Sequence, residues 1–275
     1  MIRKFLSLAI VSGTLVACQG PTGENEPSVQ EQSDQTEQTA NETEAENEVA
    51  EIRIYPKPAV AEFPDASLSL VKPENGENIN EGEVNFDFVV EGYTLGEQTA
   101  EARMALANSA KGQHIHLIID NDPYSAHYES QFSQEIEDGN HYAIAFLSRS
   151  YHESVKNPNA YEVFQFAVGD TDEMPVDLSQ PALFYSRPKG TYSGEGAEKV
   201  LFDFYLHNTE ISGDGNKVKL VINDEEEFML DKWQPYIIEG LPMGENKIFI
   251  ELVNKEGNRL DVPINSVTRV FNLEE

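Results

Sequence analysis

From Ser67 onward the chain alternates apolar and polar residues in short runs. Val84-Asn85-Phe86-Asp87-Phe88-Val89-Val90 is one such run, and His114-Ile115-His116-Leu117-Ile118-Ile119 is another. Others fall at 141–147, 161–168, 200–206, 217–222, 247–253 and 266–271. Each is rich in β-branched or aromatic residues and is bounded by Gly, Asn, Asp or Pro. A period of two predicts half-buried strands, and short strands at this spacing predict a sandwich or barrel.

The runs come in two sets. Ser69-Leu70-Val71-Lys72-Pro73-Glu74-Asn75-Gly76 parallels Phe184-Tyr185-Ser186-Arg187-Pro188-Lys189-Gly190. Val84 to Phe88 parallels Val200 to Phe204, and Ile115 to Asp122 parallels Val218 to Glu225. Glu137-Asp138-Gly139-Asn140 parallels Pro242-Met243-Gly244-Glu245. Matching order and spacing predict two tandem copies of one unit. The layout resembles immunoglobulin-like or fibronectin-like domains. The fold class expected is therefore all-β: two tandem immunoglobulin-like β-sandwiches, over 59–172 and 173–275. Folds of this kind carry many unrelated functions.

The copies differ between the second and third strands. The second has a tight turn, Gly213-Asp214-Gly215-Asn216. The first inserts Gly92 to Gly112, where Thr99 to Asn108 is a run of helix formers behind a Thr cap. A short helix is expected there. The first copy also has a long loop from Ser148 to Ala160. Loops on a rigid scaffold are where binding usually resides.

The N-terminus is of another kind. Arg3 and Lys4 precede an apolar run over 5–16, too short to span a bilayer and the right length for an export signal. Leu15-Val16-Ala17-Cys18 resembles the lipobox of bacterial lipoproteins. That resemblance implies a signal peptide over 1–17 and an acylated Cys18, with palmitate-like chains holding the protein to a membrane. Cys18 is the sole cysteine, so no thiol remains for a disulfide. Gln19 after the cysteine favours the outer membrane; the face is open.

Composition adds the tether. From Gln19 to Ala50 every charged residue is acidic and none is aromatic. Such a segment buries too little apolar surface to offset its ordering entropy, so 18–58 is expected to be a disordered spacer. The net charge of -30 argues against nucleic acid as a partner.

Five of the six histidines lie in the first copy. His114 and His116, two apart on a strand, share a face. With Asn121-Asp122 as a two-residue turn, His116 would stand opposite His127, about 5 Å away between Cβ atoms. His114, His116 and His127 then form a cluster on an outer face, a donor set suited to zinc or copper. A change of one residue in the turn would put His127 on the other face. The competing reading is exposed histidines without a ligand. His141, at the turn into its strand, reads as structural. The stretch from Gly112 to Asp120, with Gly139-Asn140-His141, resembles histidine-rich envelope domains of unknown function.

A second candidate is the loop Ser148 to Lys156. Arg149, Ser150, His152, Glu153 and Lys156 could receive an anionic or sugar ligand; Arg149 and Lys156 could equally pair with local acids. No nucleophile elbow supports a hydrolase. Asp120-Asn121-Asp122 and Asp214-Gly215-Asn216 read as turns, not calcium loops. The expectation is a non-enzymatic binding or adhesion lipoprotein of the cell envelope. The alternatives are a zinc- or copper-binding envelope protein and an accessory subunit of an envelope complex. Partners would be the membrane, through Cys18, and a glycan, an anionic ligand or an envelope protein.

Overall fold

The computed structural model describes residues 51–58, 62–80, 82–100 and 107–275. The export signal, Cys18, the tether up to Ala50 and the middle of the expected helix (101–106) lie outside the described residues. Strand β1 (Arg53–Pro56) comes first. The first sandwich holds β2 (Ser67–Lys72), β3 (Glu77–Ile79), β4 (Glu83–Glu91), β5 (His114–Ile119), β6 (Ser125–His127), β7 (Gln131–Glu135), β8 (Gly139–Ser148) and β9 (Tyr161–Val168). The second holds β10 (Ala182–Arg187), β11 (Gly190–Ser193), the one-turn helix α1 (Glu195–Glu198), β12 (Val200–His207), β13 (Lys217–Ile222), β14 (Glu226–Leu230), β15 (Tyr236–Glu239), β16 (Gly244–Val253) and β17 (Val267–Glu274).

The two copies share one topology. In the first, β2-β4-β7 faces β3-β9-β8-β5-β6. In the second, β10-β12-β15 faces β11-β17-β16-β13-β14. Both have a register shift near the end of the opening strand, at Leu70/Lys72 and Tyr185/Arg187. In both, the next short strand pairs parallel with the last strand of its copy. This is the tandem immunoglobulin-like arrangement expected from the repeat.

Even the polar pins repeat. Asp120 and Asn121 both have positive φ, as do Asn223 and Asp224, so each hairpin turns on two left-handed residues, a geometry that Asn and Asp tolerate. In the first copy Asp120 bonds Tyr142 N and the His141 ring. In the second, Asn223 bonds Lys247 N and the Asn246 amide. His141 Nε2 then meets Glu137 O, just as Asn246 Nδ2 meets Pro242 O.

Each sandwich has its own apolar core. One centres on Phe86, Ile115, Leu117 and Phe164, the other on Phe202, Phe204, Leu220 and Ile250. A third core lies between the copies. Ile118, Tyr124, Ile144 and Phe146 pack there against Ala182, Phe184, Tyr205 and Ile264. The central strands β5 and β8 of the sheet β3-β9-β8-β5-β6 are therefore covered on both faces over most of their length, by their own sandwich and by β10 and β12. Phe146 and Tyr205 rings meet at 4.4 Å, and Asn121 bonds the backbone of β10 at Leu183 O and Tyr185 N.

Two expectations are corrected. The tether was expected to run to residue 58, yet Arg53–Pro56 forms a strand. It pairs antiparallel with β15, so it extends a sheet of the second sandwich although it precedes the first. The physical reason is local: Ile52 and Ile54 pack on the second core, and Tyr55 donates to Glu239 at 2.6 Å. The strand face carrying His114 and His116, expected outside, is an internal layer.

A buried ion pair latches the copies together. Asp203 on β12 is fully buried and accepts from Ser154 N (3.0 Å), Ser154 Oγ (2.5 Å) and Lys156 Nζ (2.7 Å). Removing one partner of such a pair strands a cation away from water. Asp203→Ala is expected to lower unfolding stability by about 3–5 kcal/mol, read by urea denaturation. A loss near zero would show that the pair contributes nothing to holding the copies.

Candidate functional site

The histidines converge between the sandwiches. β5 carries His114 and His116 on the face opposite Ile115 and Leu117, which belong to the first core. Both histidines are 0% exposed. The loop after β8 adds His152, a residue with φ of 66°, a left-handed conformation that His adopts more readily than most residues. His114 Nε2 lies 2.8 Å from His116 Nε2 and 3.1 Å from His152 Nδ1, and the last two nitrogens are 3.3 Å apart.

Two of these separations are close to those of a metal site, and the 2.8 Å one is a hydrogen-bond distance. Three nitrogens around a tetrahedral ion, each at about 2.0–2.1 Å, stand roughly 3.3 Å apart. The tautomer of His114 is set by its other nitrogen. Gly112 O accepts from Nδ1 at 2.8 Å, so Nδ1 carries the hydrogen and Nε2 presents a lone pair. Gly112 itself has φ of +88°, and a Cβ there would lie 2.3 Å from Gly96 O. Only glycine lets the insert lie this close to the start of β5. His116 lacks such an outer acceptor; its ring is held by stacking on Tyr124 at 3.6 Å and by the edge of Phe146.

Burial keeps all three rings neutral. It lowers the His114 pKa to about 4 and that of His152 to about 2, and it pushes His116 well below the usual value. Arg187 adds to the effect on each, and Lys189 adds to it on His116 and His152. Neutral imidazole is the ligand form.

His127 is not part of the cluster. The hairpin turns at Asp120-Asn121, where Asp122 N donates to Ile119 O. β6 then pairs Ile115 with His127 and His116 with Ala126. That register is one residue from the expected one and sends His127 to the opposite face. There it stacks on Phe132 at 3.4 Å and bonds Ser125 Oγ at 2.7 Å. His152, named above for a different role, takes its place.

The loop residues expected to act together are divided. Ser150 ties the insert to the loop: its N donates to Thr99 Oγ1 and its Oγ accepts from Thr99 N. Arg149 pairs with Glu153, Glu153 with Lys57, and Lys156 with Asp203. Arg149, Glu153 and Lys156 line a cleft of about 460 Å³ with Phe63 and Trp233. The cations there are already paired with acids, the outcome expected of ordinary ion pairs. Trp233 donates to Phe204 O and packs against Tyr205.

No family model matches the chain, and no curated protein matches it. Solved structures are matched distantly. The fibronectin(III)-like modules of Clostridium thermocellum CbhA are 11% identical over 75% of this chain and 94% of theirs, with a TM-score of 0.27. A Bacteroides ovatus mixed-linkage glucan utilization protein, SGBP-B, solved with a heptasaccharide, is 8% identical over 75% of this chain and 47% of its own, with a TM-score of 0.23. The Yersinia pseudotuberculosis adhesin InvE is 10% identical over 78% and 62%, with a TM-score of 0.20. At such scores they add nothing to the strand order above.

His141 offers a pH-dependent check on the frame around the site. Its Nδ1 is 2.6 Å from Asp120 Oδ2, and that bond raises its pKa. A raised folded pKa stabilises the fold below the unfolded value of about 6.5. The contribution fades as pH rises through the folded value. His141→Asn, which copies Asn246 of the second sandwich, is expected to be less stable than wild type at pH 5. The gap should narrow towards pH 9 in urea titrations.

Proposed function

We propose that this chain is a lipid-anchored envelope protein whose folded part is a non-enzymatic metal-binding module. His114, His116 and His152 are three of its ligands. The observation that carries this reading is the convergence of three buried imidazole nitrogens within 2.8–3.3 Å. Stray surface histidines do not gather in this way; the three rings meet one another and Tyr124 at hydrogen-bond distance, and a cation would take the place of those contacts. Imidazole donors suit zinc and copper. The lipobox-like Leu15–Cys18 supports anchoring at an envelope membrane, most simply the outer one.

A glycan or anionic ligand in the cleft beside Trp233 is the second reading. It is favoured by the aromatic wall and disfavoured by the ion pairs that already occupy Arg149 and Lys156. The metal reading uses His114 Nε2, His116 Nε2 and His152 Nδ1, which meet one another and Tyr124 and no acid.

Calorimetric titration of the full-length, chelator-treated protein in detergent is the test. Zinc or copper is expected to bind at one equivalent. His116→Ala and His152→Ala should each weaken binding by at least about tenfold. His127→Ala should bind like wild type. Absence of binding by the folded wild-type protein would overturn the proposal.

A further inference from the structure

Three neutral imidazoles leave an electrostatic problem. Arg187, only 5% exposed, and Lys189 both reach the site from the second sandwich. Among the described residues neither makes an ion pair, and the cluster contains no carboxylate. A divalent ion entering this pocket would add two charges to a region already positive and poorly solvated. Like charges at short range in a poorly solvated site repel one another more strongly than in water. An anionic fourth donor would offset that charge, as would a bound water that ionises.

One side chain stands where that donor is needed. Tyr124 Oη is 3.4 Å from His152 Nδ1. Its ring lies nearly parallel to His116, 3.6 Å away at 15°. Arg187 Nη1 donates to the same oxygen at 2.6 Å. An oxygen receiving that bond must direct its own hydrogen elsewhere, and His152 Nδ1 is the acceptor at hand. Lys189 Nζ sits 3.9 Å above the opposite face of the ring. Tyr124 is thus wedged between Arg187 and Lys189 on one side and the His116 and His152 rings on the other.

Resting on the metal reading above, we propose that Tyr124 is the fourth ligand of the centre, bound as phenolate in a three-nitrogen, one-oxygen set for a divalent ion. The balance is simple. The O–H bond breaks, its proton leaves to the buffer, and a metal–oxygen bond forms. Arg187 keeps its hydrogen bond and gains an anionic partner. The second sandwich then contributes to metal selection without supplying a ligand: Arg187 holds the phenol oxygen by a hydrogen bond, and a tyrosinate favours a harder, divalent ion over Cu(I). A three-coordinate site without the phenolate would have the opposite preference.

The test uses the full-length, chelator-treated protein. Zinc is added while the near-ultraviolet difference spectrum is followed, and Cu(II) while the visible spectrum is followed. One tyrosinate signal per zinc and a phenolate-to-copper charge-transfer band are expected. Both should vanish in Tyr124→Phe, which keeps the ring stack and should bind either ion at least about tenfold more weakly. Tyr128→Phe, whose hydroxyl contacts Ser109, should retain both signals. Metal binding with no tyrosinate signal in wild type, together with unchanged affinity in Tyr124→Phe, would show that Tyr124 is not a ligand and overturn the proposal. A signal that follows Tyr128 would overturn it too. Failure of wild type to bind either ion would instead remove the metal reading itself.

Discussion

The central strands β5 and β8 of the sheet β3-β9-β8-β5-β6 have no wet face over most of their length, and the rest of the molecule follows from that constraint. A solvated strand places its polar side chains in water. Here the outward residues of β5 meet a second protein layer. Apolar positions on that layer, such as Ile118, Ile144 and Phe146, bury well. Polar ones must find partners or carry no charge. His114 and His116 stay neutral and turn their nitrogens toward one another and toward His152. The second copy shows the contrasting solution. At the position matching His116 it carries Lys219, which meets solvent and pairs with Glu251. A lysine in the first copy would be a charge sealed between sheets.

Much of this fold was legible as a pattern of twos. Strands, copy number and the two matching hairpins follow from alternation and turn residues, because those signals are local. The register of the β5–β6 hairpin was not. A two-residue turn at Asn121-Asp122 would pair His116 with His127, and one at Asp120-Asn121 would leave His127 on the same face, because moving a turn by one residue shifts the register by two. The chain instead takes Asp120, Asn121 and Asp122 into the loop and pairs Ile115 with His127. Asp120 anchors that loop by reaching across to His141 and Tyr142 N on β8, a contact between residues more than twenty apart. That one extra residue removes His127 from the cluster.

The covered face was hidden for a related reason. Alternation predicts one buried side, and a second sandwich arriving on the other side leaves little local trace. A trace does exist: Ile118 and Ile119 follow Leu117 without a polar residue between them, and β8 contains the unbroken run Ala143 to Leu147. Such runs mark strands buried on both faces. His152 was visible as part of a polar loop, but its partners were not, since its left-handed backbone is what turns the ring inward. Tyr124 reads in sequence as a mere neighbour of a turn.

The route of the chain has a mechanical meaning. It begins as β1 on the sheet of the second sandwich, crosses to build the whole of the first, and returns to complete the second. A load applied at Arg53 therefore reaches the second sandwich first, through the β1–β15 ladder. The first sandwich is strung between two segments of its neighbour, so it is loaded only after that short ladder gives way. The histidine layer lies inside that crossing.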